Sequence, residues 1–283
     1  MRVGITLLAV AAALAVGWQL WVYYTLSPWT RDARVLANVV EVAPDVSGLV
    51  NAVNVTDNQL VQKDDVLFVI DQQRFKVAVE QAQAQVAMKT QALKYAQDTA
   101  NRDTSLMRND SGAVSVQAVE RTSVSAAEAE AELQAAQAAL ATAQINLTRS
   151  EVRSPVDGYV TNLNIFVGNY ATVGQGAMAL VDRNSFYVYA YFMETKLPAI
   201  HEGDRARVEL MAGGVVIDGV VEGLTRAIAN TTDQSGLLAN VKPEFDWIRL
   251  AQRIPVRIRL GPLPEGVELA AGMSATVVVT PRR

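Results

Sequence analysis

Few side chains in this sequence carry the chemistry that catalysis needs. The single histidine, His201, sits in Ile200-His201-Glu202-Gly203-Asp204, a turn-like stretch between strand-like segments, and reads as a surface residue. Without a second histidine a paired-His metal site is excluded, and the absence of cysteine excludes disulfides, thiolate catalysis and Cys-based zinc sites. Carboxylates do cluster, at Asp64-Asp65, at Glu128, Glu130 and Glu132, and from Glu244 to Asp246, and such pairs could in principle act as acid and base. The three glutamates alternate along a helical stretch at spacings that do not converge on one point, which describes a solvated face. Asp64-Asp65 sits in a turn before an apolar strand. No glycine-rich phosphate loop, nucleophile elbow or metal motif is present. These residues argue against an enzyme and imply no cofactor. Lys and Arg total 25 against 29 Asp and Glu, so the net charge of -4 offers no basic footprint for nucleic acid.

The elements themselves are more informative, beginning with an internal repeat. Val46-Ser47-Gly48-Leu49-Val50 recurs as Val156-Asp157-Gly158-Tyr159-Val160, 110 residues on. Val53 and Val55 align with Leu163 and Ile165, and Val69-Ile70-Asp71 reappears as Leu180-Val181-Asp182 after one extra residue. Each copy reads as short alternating strands separated by turn residues, Asp57-Asn58 in the first and Val167-Gly168-Asn169 in the second. Each half is too small to bury a core alone, so the two should pair into one flattened β-sandwich.

Between the halves, residues 74 to 150 contain no proline and one glycine, Gly112, amid abundant Ala, Gln and Glu. This predicts two helical arms broken at Asn109-Asp110-Ser111-Gly112. Val79, Val86, Leu93, Ala100 and Met107 recur every seven residues on the first arm, as do Val119, Ala126, Leu133, Leu140 and Leu147 on the second. Pairing Val79 with Leu147, and so on inward to Met107 with Val119, keeps the index sum constant at 226 and places the tip at residue 113. Ala129, Ala136 and Ala143 supply a second row that lets the backbones approach closely. The expectation is an antiparallel hairpin, its outward faces polar throughout, protruding as a rod ~50 Å long.

After Asp182 the chain turns strand-rich, with Phe186 to Phe192, Ala206 to Leu210, Val215 to Ile217, Pro255 to Leu260 and Thr276 to Val279 reading as strands. They favour a small β-barrel or sandwich. The polar stretch Ala229 to Gly236 reads as a loop. At the other end, no charge appears from Val3 to Tyr24, a run long enough to cross a hydrocarbon core, with Trp18, Trp21, Tyr23 and Tyr24 clustered at its far end. A signal peptide cleaved near Ala13-Leu14-Ala15 is the alternative to an anchor. The fold class is therefore mixed α and β and elongated. Its parts are a transmembrane anchor (1–25), a linker (26–38), a split lipoyl-like sandwich (39–73 and 152–184), an α-helical hairpin (74–151) and a β-barrel (185–283).

This order of parts resembles the HlyD-type periplasmic membrane fusion proteins over essentially the whole chain. The most specific stretches are Ser27 to Ala33, Val42 to Gly48, Thr161 to Asn164, Asn184 to Val188 and Arg249 to Ile258. Within that family they look most similar to the periplasmic subunits of aromatic carboxylic acid efflux pumps. The resemblance implies an inner-membrane, single-pass adaptor whose bulk lies in the periplasm of a Gram-negative bacterium. Its implied partners are an inner-membrane transporter of the aromatic acid exporter type, a TolC-like outer-membrane channel and further copies in a ring. It also implies a channel-contacting tip of Arg102, Leu106, Gly112, Ala113 and Ser115. Ser115 comes two residues later than the family's usual spacing and would equally serve as the N-cap of the second arm; Arg102 reads as either a contact or an ordinary solvated charge. The loop from Ile228 to Lys242 and the strands around Phe186 to Glu194 are candidate pump-facing surfaces. Two other readings compete: an adaptor of a multidrug pump with a major facilitator transporter, and a lipoyl or biotinyl carrier. A carrier needs a lysine at the turn after the first half, where Asp71-Gln72-Gln73-Arg74-Phe75 has none; Lys63 and Lys76 are near but misplaced.

Overall fold

A computed structural model of the chain describes residues 10–18, 28–110, 112–225, 251–264 and 266–281. In chain order the first elements are β1 (Trp29–Leu36), β2 (Val39–Val42), β3 (Gly48–Val53), β4 (Leu60–Val61), β5 (Val66–Ile70), α1 (Gln73–Asn109) and α2 (Val116–Arg149). There follow β6 (Glu151–Arg153), β7 (Gly158–Thr161), β8 (Tyr170–Ala171), β9 (Met178–Asp182) and β10 (Tyr187–Met193). A 3-10 turn (Glu194–Ala199), β11 (Arg205–Leu210), β12 (Val216–Leu224), β13 (Arg253–Leu260) and β14 (Ser274–Thr280) complete the series. They form two compact units, one of residues Val39–Asp182 and the other of Met1–Asn38 with Arg183–Arg283.

In the first unit the duplication in the sequence becomes a duplication in hydrogen bonding. One sheet has the order β2-β9-β7-β4 and the other β6-β5-β3-β8. Exchanging each strand for its repeat equivalent converts one order into the other, so both sheets draw strands from both halves. The loops obey the same rule. Asn58 N–H donates to the Val160 carbonyl at 2.8 Å, and Gly168 N–H donates to the Val50 carbonyl at 3.0 Å. Asn58 and Gly168 both adopt positive φ, 63° and 90°, where a bare backbone or an Asn side chain is tolerated. Lys63 N–H donates to Asp157 Oδ1, and at the equivalent place Val173 N–H donates to Ser47 Oγ. Neither half has enough apolar surface to fold alone; together they bury one core containing Val50, Leu67, Phe68, Ile70, Val160 and Leu180.

The second unit is a closed barrel of order β1-β10-β13-β12-β11-β14. In β11, Ala206, Val208 and Leu210 point inward and Arg205, Arg207 and Glu209 outward, the period-2 alternation of a sheet with one wet face. Val35, Val188, Phe192, Val208, Ile258 and Val277 fill the interior.

Three expectations change. Residues 26–38, read as a linker, contain β1, which pairs with both β10 and β14 and closes the barrel. Arg31, Asp32 and Arg34 hide the strand from a hydrophobicity reading, while Ala33 and Val35 face the core. The strand read at Val215 to Ile217 extends to Leu224, its inward side kept by Ile217 and Val221 despite Asp218 and Gly219. The hairpin's outward faces are not polar throughout, because Val77, Met88 and Tyr95 on α1 and Val116, Val124 and Ile145 on α2 are all half or more exposed. Of the apolar N-terminal run, residues 10–18 are helical and the rest lies outside the described residues. Among the described residues no helix is long and apolar enough to cross a membrane. The loop read at 228–242 also lies outside the described residues.

Candidate functional site

Two long helices define the candidate site. α1 has 37 residues and α2 has 34, both rich in Ala, Gln and Glu, and they pack on each other along their lengths. All ten ladder residues, Val79, Val86, Leu93, Ala100, Met107, Val119, Ala126, Leu133, Leu140 and Leu147, are half-buried, and so are Ala129, Ala136 and Ala143. Most of the residues between them are exposed, as two helices sharing one narrow apolar seam require. Lys89 lies half-buried between Val86 and Leu93, and its Nζ reaches Glu132 of α2 at 2.7 Å, tying the arms across the seam.

The tip is ordered by two side chains. Asp110 Oδ1 accepts from Gly112 N–H at 3.0 Å, and the Asp110 carbonyl accepts from Ala113 N–H at 3.1 Å. Ser115 takes extended backbone angles and its Oγ accepts from Ala118 N–H at 3.2 Å, so it caps α2. Gly112 has an ordinary φ, and an added Cβ would meet nothing closer than 3.5 Å, so no strain requires glycine there. Gly112, Ala113, Arg102 and Leu106 are all exposed. Arg102 and Leu106 stand one turn apart on the same face of α1.

That face continues down the arm. Val77, Met88, Tyr95 and Leu106 are separated by 11, 7 and 11 residues, each close to a whole number of 3.6-residue turns. They stand singly along one exposed face of α1, the side away from α2, with polar residues and Arg102 between them. The heptad reading missed this face because it follows a second phase of the same helix. A search for 7- and 11-residue recurrences outside the seam would have found it.

At the root, the hairpin is tied to the sandwich by polar contacts. Ile70 N–H donates to the Ser150 carbonyl at 2.8 Å, and Gln72 Nε2 donates to Glu151 Oε1 at 3.2 Å. Arg153 bonds both Glu151 Oε2 at 2.6 Å and the Asp64 carbonyl at 2.8 Å. The Arg153 hydrogen bond, aided by Gln72, holds the Glu151 carboxyl below its ordinary value. Phe75 is buried under the sandwich edge with the Arg74 guanidinium 4.6 Å above its ring, anchoring the first turn of α1. The contacts from Gln72 to Glu151 and from Arg153 to the Asp64 carbonyl were not read from sequence, since their partners lie 79 and 89 residues apart along the chain.

Among the described residues no group of three His, Cys, Asp or Glu side chains is placed to hold a metal ion. The carboxylates Asp64 and Asp65 serve the turn instead: Asp64 takes φ 70°, and Asp65 Oδ2 accepts from Gln62 N–H at 2.7 Å. His201 is exposed, and its backbone N–H donates to Asp204 Oδ2.

Comparison with known proteins addresses the same two units. Residues 185–280 match the AAEA-like beta-barrel domain, and residues 38–183 match the barrel-sandwich hybrid domain of RND membrane fusion proteins. In solved structures the chain is similar to a membrane fusion protein of Streptococcus pneumoniae R6, with 17% identity, TM-score 0.67, and 91% of this chain and 100% of that one covered. It is also similar to a MacA–MexA chimera carrying the Pseudomonas aeruginosa MexA α-hairpin, with 21% identity, TM-score 0.63 and coverage of 91% and 83%. ZneB of Cupriavidus metallidurans aligns at 23% identity and TM-score 0.51, with coverage of 91% and 100%. At these identities the structures speak to the fold alone. The family match spans more than half of the chain, from the first sandwich strand through the hairpin to the last, and the chain belongs to the RND membrane fusion proteins.

Proposed function

We propose that this chain is the periplasmic adaptor of a tripartite efflux pump. It is anchored at the inner membrane by residues 1–25 and joins a transporter of the aromatic acid exporter type to a TolC-like outer-membrane channel. The observation that carries this reading is the hairpin: two long arms sharing one seam, ending in a turn fixed by Asp110 and Ser115, with Arg102 and Leu106 exposed beside it. The exposed groups at the tip are free to contact helical ends of a channel.

The exposed apolar residues on α1 and the outer face of α2, which carries no charged residue from 133 to 148, support side-by-side packing of hairpins in a homo-oligomeric ring. Aromatic carboxylic acids are the proposed cargo, supported by the match of the barrel to the AAEA-like domain. The adaptor does no chemistry on that cargo; it completes a conduit whose energy comes from the transporter.

Co-purification after crosslinking in cells tests the reading. The wild-type chain should recover both an inner-membrane transporter and an outer-membrane channel, and the double variant R102A/L106A should keep the transporter and lose the channel. Recovery of neither from the wild type would overturn the proposal. Sensitivity of a deletion strain to drugs but not to aromatic acids would assign the chain to a multidrug pump instead.

A further inference from the structure

The barrel unit holds a cleft of about 740 Å³ at the junction of β1, β10 and the 3-10 turn. That size falls within the ~300–1,000 Å³ common for small-molecule sites. Its charge is one-sided. Arg31, Lys196 and Arg253 line it against one carboxylate, Asp32, which is already paired with Arg253. No ion pair among the described residues involves Arg31 or Lys196. Glu194, adjacent in the chain, does not line the cleft.

Lys196 is held rather than loose. Its Nζ donates to the Trp29 carbonyl at 3.2 Å and lies 4.9 Å from the centre of the Trp29 ring. An ammonium has three donors, so two remain for a ligand. Desolvation lowers its pKa, the mark of a cation with no counter-ion beside it. The Arg31 guanidinium lies 5.4 Å from the same ring. Trp29 lines the cleft, while its indole Nε1 is sealed from solvent and is not a donor that the cleft offers to a ligand. The rest of the wall is mixed: Thr30 and Thr195 bring hydroxyls, while Tyr191 and the exposed Met193 bring a ring and a thioether that pack well against a flat ring.

We propose that this cleft binds a small aromatic carboxylate, its carboxylate meeting Arg31 and Lys196 and its ring lying against Tyr191 and Met193. The site shares its ligand chemistry with the cargo proposed above but rests on barrel residues alone, so either can fail without the other.

The test is titration of the full chain in detergent with benzoate, followed on the ¹⁵N-labelled indole resonance of Trp29, which W29F identifies. Benzoate should shift that resonance saturably, whereas acetate, which lacks the ring, and benzamide, which lacks the charge, should each bind at least tenfold more weakly. R31Q, at an exposed position that tolerates change, and K196Q should each weaken benzoate about tenfold, the scale of one charge-assisted hydrogen bond. No saturable shift, equal binding of acetate, benzamide or inorganic phosphate, or wild-type affinity in folded R31Q would overturn the proposal.

Discussion

Gly158 starts β7 directly over the Val181 carbonyl of β9, so closely that a Cβ on residue 158 would overlap the carbonyl oxygen. Its repeat equivalent Gly48 meets the equivalent neighbour, Ile70, where a Cβ would sit 2.6 Å from the Cγ2 methyl. The two glycines therefore hold the same close crossing twice, but against different atoms. Backbone at Val181 cannot retreat without breaking the β7–β9 ladder, whereas the Ile70 methyl moves only if χ1 of this fully buried β-branched side chain turns, a smaller but real cost. G158A should destabilise the unit Val39–Asp182 by about 2–3 kcal/mol and G48A by about 1–2 kcal/mol, the range for overpacked positions. Urea denaturation of the two variants checks the order; equal losses would contradict the distinction between a backbone and a side-chain neighbour.

Leu133 tests the seam. It is half-buried, so a carboxylate placed there keeps partial access to water, and L133E should cost about 2 kcal/mol rather than the larger penalty of a sealed core. Limited proteolysis should show faster cleavage within α1 and α2 and an unchanged rate in the barrel. Unaltered protease resistance of the hairpin would contradict the seam.

Ser115 should behave as a cap whether or not it touches a partner. S115A is expected to cost about 1 kcal/mol, felt as faster amide exchange in the first turn of α2, and S115D should restore protection. Loss of channel recovery in S115A with normal recovery in S115D would tie any partner effect to the cap.

Glu151 makes the hairpin root pH-dependent. Its carboxyl is held below its ordinary 4.5 by Arg153 and Gln72, so it stabilises the fold fully above the unfolded value and loses that contribution as pH falls through the folded one. The melting temperature of E151Q should lie below that of the wild type at neutral pH, and the gap should close on acidification. The group is partly exposed and the effect correspondingly modest. A gap that widens toward low pH would reverse the sign and reject the assignment.

Sequence alone reached the features that repeat. The 110-residue duplication exposed the sandwich because Gly48 and Gly158 sit at the same crossing, and seven-residue recurrence exposed the seam because one helix face must meet another. It did not reach features built by distant contacts. β1 escaped notice because three of its eight residues, Arg31, Asp32 and Arg34, carry charge, and its place in the barrel is set by partners such as Tyr191, 161 residues away. The cleft was invisible for the same reason, since Lys196 meets Trp29 across 167 residues. The exposed Val77, Met88 and Tyr95 were hidden by the assumption that a helix has one apolar face.

The adaptor role is tested most directly at Ala113, an exposed residue of the tip in a chain that has no other site for a thiol reagent. A113C crosslinked in cells should give one specific adduct with an outer-membrane channel, and R102A/L106A in the same background should abolish it. A folded, exported A113C protein that forms no such adduct would contradict the central claim.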